Sequence, residues 1–369
     1  MSAAGKALWT VAFVSPTGDM IGGGEQSLIQ LLAFLDRDRI RPWVIAPAEG
    51  ELTRRCSAMD IGVHILYLPR TLRGVVDGTL LRLVCWLREA GVGAVHANSS
   101  GRELMLSGLA ARILGIPLLW HARIGLPTPV ADTVGAALSS RIIATSSYVA
   151  EKLLRRGARN KLTIIPNPLD LSLYAGDMGG REWREGHGIA ADALVVGSMG
   201  GLDAWKRFDL AARAVALARK TIPNIYWVMI GDGPERRRLE NLAAESGLEG
   251  AFSFLGHQRD ASRAMAAIDI LLHTMPGEGF GRVLIEAMAC SLPVVAAAPG
   301  GALDIVIHKR TGLWVTQAEP EAFAMALLEL QDPGVRRALG TAGRKRVEEL
   351  YDARIVAAQV MDVYEQMLG

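Results

Sequence analysis

The stretch Pro276-Gly-Glu-Gly-Phe-Gly-Arg-Val-Leu-Ile-Glu286 constrains this chain more than any other. Apolar runs flank it, Ala267–Leu272 before and Pro293–Ala297 after, and each reads as a strand buried on both faces. Between them a glycine-punctuated loop runs into a helix expected over Gly281–Cys290. A strand, loop, helix and strand in that order make a unit of an open α/β sheet, whose ligands bind at the carboxyl edge of the strands. The loop therefore stands on the ligand edge. Gly279 and Gly281 allow close approach of the backbone, and the free N–H groups at the helix start favour an anion such as a diphosphate. Glu278 precedes the helix and Glu286 follows eight residues later. Two carboxylates beside an anion site suit a ligand that also carries hydroxyl groups, since a carboxylate accepts paired hydrogen bonds from a diol. That points to a sugar or a ribose.

The same alternation recurs along the chain. Leu8–Ser15, Trp43–Ala46, Val63–Leu68, Ala94–Ala97, Leu118–His121, Ile142–Ala144 and Leu162–Ile165 read as short buried strands, with helical spacing between them, as in Thr79–Ala90 and Arg102–Leu114. At 369 residues, half of them hydrophobic, the chain has room for about two such domains. The polar, Gly-rich residues 171–192 read as the linker. Three scattered cysteines suggest free thiols in a reducing compartment, and no CxxC or HxxxH spacing suggests a metal. The opening residues lack a charged leader, and no apolar run reaches the ~20 residues of a spanning helix, so a cytoplasmic protein is expected. The net charge of +2 gives no reason to expect nucleic acid as a partner.

The segment EGFGRVLIEAMACSLPVVA resembles the E-x7-E signature of the retaining glycosyltransferases of family 4. The resemblance implies the GT-B fold: two Rossmann-like, doubly wound α/β domains facing a cleft, here residues 1–175 and 176–351. It implies a last helix, 352–369, returning to the first domain. It further implies a nucleoside-diphosphate sugar as donor and no metal or other cofactor. Carried over by motif, Glu278 lies by the donor sugar and Glu286 meets the ribose, with Gly279, Phe280 and Gly281 lining the donor. Gly23 and Gly24 of Gly22-Gly-Gly-Glu25 match a loop near the donor phosphates. His121, in LWHA where the family has a TVHD-type stretch, takes the place of a histidine beside the donor sugar. Leu255 ends the strand Phe252–Gly256, which commonly meets the base through its backbone. Lys206 matches the lysine that binds the diphosphate. The arginine of that element is missing, Gly200 or Gly201 standing in its place, and Arg207 replaces a glycine. Arg207 is thus the candidate for the second positive charge. Gly231-Asp-Gly-Pro234 matches a βα turn of the family, and Gly300-Gly301 with Asp304 its GG-x-x-E.

His96 and Asn98 end one expected strand and Arg123 follows His121 at the end of another, which places all three on the acceptor side. The resemblance implies a glycan or lipid-linked acceptor, as in bacterial envelope or polysaccharide synthesis. The basic excess of the first half, with Arg70, Arg73, Arg102 and Arg123, and the amphipathic Thr79–Ala90 suggest peripheral contact with the inner membrane face. Two other readings stand beside this one. One is a GT-B-fold nucleotide-sugar epimerase; the other is a nucleotide-sugar-binding protein without turnover, motivated by the missing arginine.

Overall fold

The computed structural model describes residues 8–68, 78–98, 100–123, 129–155, 158, 160–176, 179–258 and 261–369. Arg70 and Arg73 lie outside them. The chain forms two compact units, Met1–Pro168 with Ala353–Gly369, and Leu169–Asp352. Each is a doubly wound α/β domain.

In the first unit the strands are β1 (Trp9–Val14), β2 (Ile40–Ala46), β3 (Gly62–Ile65), β4 (Ala94–Ala97), β5 (Leu118–Ala122), β6 (Arg141–Ala144) and β7 (Leu162–Ile164). They pair all-parallel in the order β3-β2-β1-β4-β5-β6-β7. The order reverses between β1 and β4, and the carboxyl ends at such a reversal form the ligand crevice of an open sheet. Both sheet faces are covered, so the central strands are apolar throughout: Val11, Ala12, Phe13 and Val14 are all fully buried. The helix Gly23–Phe34 lays Leu28, Leu31 and Leu32 on one face of the sheet. The last helix, Ala353–Leu368, adds Val356, Val360, Met361 and Tyr364 to the same core. Arg39 and Glu365 form an ion pair that ties this helix to the β2 side.

On the other face, the helix Thr79–Glu89 buries Leu83, Val84 and Leu87. Trp86 stacks on His64 with 4.3 Å between ring centroids. Leu81, on the same helix, is exposed. Among the described residues, no helix is long and apolar enough to cross a membrane.

The second unit holds β8 (Leu194–Met199), β9 (Ile225–Ile230), β10 (Phe252–Phe254), β11 (Ile270–His273), β12 (Val294–Ala297) and β13 (Leu313–Val315). Their parallel order is β10-β9-β8-β11-β12-β13, which reverses between β8 and β11. The segment expected to be a linker is largely folded into this unit. It holds a 3-10 turn, Leu171–Tyr174, and a helix, Gly180–Gly186. Tyr174, Trp183 and Ile189 are buried in the unit's core, three apolar anchors that the polar average of the segment conceals.

The long helix Pro333–Leu350 packs on the helix Arg282–Ala289, and its Gly340 abuts the turn that follows that helix. A Cβ there would sit 1.8 Å from the Ser291 carbonyl oxygen. Alanine favours a helix interior over glycine by ~1 kcal/mol, but overpacking typically costs ~1–3 kcal/mol and backbone cannot turn aside as a side chain can. Gly340→Ala is therefore expected to lower the urea unfolding midpoint, with the m-value kept. An unchanged or higher midpoint would refute this packing.

Candidate functional site

The second unit gathers its site at the carboxyl ends of β8 and β11. His273 is the last residue of β11, and the loop that follows carries Glu278. Gly277 and Gly281 both take positive φ, 76° and 92°, which leads the chain round to the helix Arg282–Ala289. The loop rests on the backbone of the next βα turn. Gly277 N–H donates to the Pro299 carbonyl at 2.7 Å, and Gly301 N–H to the Glu278 carbonyl at 2.8 Å. A Cβ on Gly301 would lie 2.5 Å from the Gly279 oxygen. The Gly300-Gly301 pair is thus the floor of the Glu278 loop. Likewise a Cβ on Gly231 would lie 2.0 Å from the Gly200 oxygen, so the Gly231–Pro234 turn presses directly on the loop after β8.

Lys206 closes the 3-10 turn Ala204–Lys206, and its Nζ meets Glu278 Oε2 at 2.8 Å. His273 Nε2 stands 3.6 Å from the same oxygen. Burial works to raise the Glu278 pKa, but His273 and Lys206 together overcome it and hold the carboxyl down at about 2. Of the two partners Lys206 is the firmer, since 3.6 Å is beyond ordinary hydrogen-bond reach. Thr274 Oγ1 donates to the Arg207 carbonyl at 2.8 Å and so pins the lysine's turn to the end of β11.

Arg207 is left-handed, φ 57° and ψ 36°, at the N-cap of the helix Phe208–Arg219. This explains the family's glycine at the position, because αL costs a non-glycine residue roughly 1–2 kcal/mol. Its guanidinium binds both Asp209 oxygens, at 3.0 and 3.2 Å. The Arg207 side chain stays 42% exposed in this pairing.

Glu286 lies in its helix with the side chain 14% exposed and accepts from Arg282 Nε at 2.8 Å. Burial raises its pKa against the pull of Arg282 and of a hydrogen bond from Tyr174. Leu255 N–H donates to Met229, and its carbonyl accepts from Gln258. Phe280 differs from expectation: its ring is buried in the core, 6.0 Å from that of Tyr351, so only its backbone can line a ligand. Gly279 N–H donates to the Glu278 carboxylate at 3.2 Å.

In the first unit, Gly24, His96, Asn98, His121 and Arg123 come together at the ends of β1, β4 and β5. Glu25 caps its own helix, accepting from the Gly22 N–H at 3.0 Å. Asn98 Nδ2 reaches the Gly24 carbonyl at 3.4 Å, and Arg123 Nε donates to Asn98 Oδ1 at 2.7 Å. Arg123 also donates to Asn167 Oδ1, and its Nη2 faces His121 Nδ1 at 3.3 Å. His96 Nε2 lies 3.2 Å from the same His121 nitrogen, and His96 Nδ1 lies 2.5 Å from the Tyr364 hydroxyl.

His96 is fully buried and stacks on Phe13, and its two ring nitrogens face Tyr364 and His121. Burial, with the Arg123 charge added, lowers the pKa of both rings, to about 3 for His96. Sequence reasoning missed Asn167, Asp209, His273, Thr274 and Tyr364. A histidine at a strand end is the signal that found His96 and His121, and it applies equally to His273. Tyr364 reads as one more core position of a helix.

Among the described residues, no group of three or more His, Cys, Asp or Glu side chains is placed to hold a metal ion.

Residues 180–346 match the family model described as glycosyl transferases group 1, and residues 21–173 the one described as glycosyltransferase family 4. The D-inositol 3-phosphate glycosyltransferase of Stackebrandtia nassauensis is 30% identical over 82% of this chain and 74% of its own. The lipopolysaccharide core biosynthesis glycosyltransferase LpsE of Rhizobium meliloti is 31% identical over 48% of this chain and 51% of its own. Anabaena HepE in complex with UDP-glucose superposes with a TM-score of 0.84 at 26% identity, covering 97% of this chain and 99% of that one.

The floor of the Glu278 loop gives a direct prediction. Gly301→Ala must push the Gly279–Phe280 backbone aside. It is expected to weaken nucleoside-diphosphate binding in calorimetric titration while leaving the far-UV circular dichroism spectrum unchanged. Wild-type affinity in this variant would show that the loop does not depend on that contact.

Proposed function

The chain belongs to the group 1 glycosyltransferases, and from that premise we propose that it moves a sugar from a nucleoside-diphosphate sugar to an acceptor hydroxyl with retention of anomeric configuration. The observation that carries this reading is the pairing of Lys206 with Glu278 at the switch point of the second sheet. The pair presents a cation and an acceptor-only carboxylate within one small volume. A diphosphate joined to a sugar asks for both. The cation meets the charge that develops on the leaving phosphate, and the carboxylate accepts from sugar hydroxyls. Because Glu278 is held ionised down to about pH 2, it plays that acceptor role across the physiological range. A Glu286 contact with the ribose, and backbone contacts from Gly279, Phe280, Gly281 and Leu255, complete the donor site proposed for the second unit. In the first unit, Gly23 and Gly24 are proposed to serve the donor phosphates. His121 contributes a hydrogen bond to the donor sugar.

The glycosyltransferase family matches, and a structural neighbour described in complex with UDP-glucose, support a nucleotide-sugar donor. The proposed setting is cytoplasmic, with a glycan or lipid-linked acceptor and envelope or polysaccharide synthesis as its role. The similarity to a relative named for lipopolysaccharide core biosynthesis supports that choice. Arg123, with its donors turned onto Asn98, Asn167 and His121, serves the acceptor side by holding these groups.

The reaction is tested by proton NMR of the product. The donor is chosen as the nucleotide sugar that most raises the melting temperature, since ligand at a hundred times its dissociation constant stabilises by about 2.7 kcal/mol. With an α-linked donor, the new glycosidic bond is expected to be α. A β-linked product would contradict retention. Conversion of the donor sugar to its epimer with no acceptor added would favour the epimerase instead.

A further inference from the structure

Tyr364, His96, His121 and Arg123 form one continuous chain of polar contacts through the interior of the first unit. Its polarity is set from the arginine end. A guanidinium is donor-only, so the His121 Nδ1 that faces Arg123 Nη2 must offer a lone pair. His96 Nε2, facing the same nitrogen at 3.2 Å, must then carry a hydrogen, because two opposed lone pairs would repel. With its hydrogen on Nε2, a neutral His96 has a bare Nδ1, and this accepts from the Tyr364 hydroxyl. Burial keeps that phenol protonated and both imidazoles neutral. Each contact fits one direction of donation.

What remains is His121 Nε2. With Nδ1 bare, the proton of a neutral ring is on Nε2. That atom is buried and has no hydrogen-bond partner among the described residues. A buried donor is seldom left unpaired in a folded protein. We infer that Arg123, His96 and Tyr364 are positioning residues that lock His121 in the tautomer with its proton on Nε2, so that His121 serves as a neutral hydrogen-bond donor to an oxygen of the bound sugar. The inference deepens the proposed function and, for the identity of the acceptor oxygen, rests on it. It also sets a limit: His121 has no lone pair at Nε2 and cannot take a proton there as a general base.

The tautomer is measured on the full chain without ligand. In protein labelled with ¹⁵N-histidine, two-bond proton–nitrogen correlations distinguish a bare ring nitrogen from a protonated one for each of the seven histidines. His121→Gln and His96→Gln assign the two rings. Both are expected to be neutral with the proton on Nε2. Arg123→Met is expected to release His121 into a mixture of tautomers, and Tyr364→Phe to do the same for His96. An Nδ1–H or imidazolium signature for wild-type His121, or a His121 signature unmoved by Arg123→Met, would overturn the inference.

The second arm uses UDP and UDP-glucose as probes. Glutamine can hold an N–H near the Nε2 position and asparagine cannot. His121→Gln is expected to keep the ratio of UDP-glucose to UDP affinity, and His121→Asn to lower it by about three- to tenfold. Equal ratios in the two variants would remove the sugar-donor role. An Nε2–H signature in a protein that binds no nucleotide sugar would support the lock and remove the glycosyl-transfer reading, so the two failures are distinct.

Discussion

The ion pair between Lys206 and Glu278 is the interaction on which the second unit's site is arranged. Neither partner is held by its own helix or strand. Lys206 sits in a single 3-10 turn, fixed because Thr274 holds the carbonyl of the next residue. Glu278 sits in a loop fixed because the Gly300–Gly301 backbone supports it from below. Both supports stand at β8, β11 and β12, the part of the sheet nearest the reversal of strand order. The close backbone contacts at Gly231 and Gly301 leave no room for a side chain. These glycines therefore report contact between loops as well as turn geometry.

The first unit solves a different problem. Its polar residues lie in the interior, where an unpaired donor is costly and an unpaired charge far more so. The solution is a chain in which each atom is answered by the next, from Tyr364 on the last helix to Arg123 beyond β5. The last helix thus contributes a hydrogen-bonding hydroxyl as well as apolar burial. The one atom left over, His121 Nε2, is at the carboxyl end of β5, on the ligand edge of the sheet.

Much of this was legible in the sequence. Strands buried on both faces announce themselves as apolar runs, and loops at their carboxyl ends announce themselves by glycine spacing. The strand expected over Ala267–Leu272 is shifted to Ile270–His273, because the preceding helical turn takes up Ala267 and Ile268 as core. What was not legible depended on pairing. Nothing in the sequence shows that Arg207 pairs with Asp209. That His96 is covered, with Tyr364 against one ring nitrogen, is likewise invisible in a strand end read from sequence. Tyr364 looked like core, and is core, with one polar atom aimed inward. Residues 171–192 looked like a linker because three buried aromatic and aliphatic anchors were averaged with many polar neighbours.

The central claim is that Lys206 serves the diphosphate and Glu278 the sugar, the two being paired with each other at 2.8 Å. It is tested most directly by calorimetric titration of Lys206→Met and Glu278→Gln with UDP, GDP and ADP, and with the sugar conjugate of whichever binds tightest. The account predicts opposite signs. Lys206→Met loses affinity for the nucleoside diphosphate. Glu278→Gln frees the lysine and keeps or raises that affinity, while losing the added affinity for the sugar conjugate. Equal weakening of nucleoside-diphosphate binding by both substitutions, or no weakening by either, would contradict it.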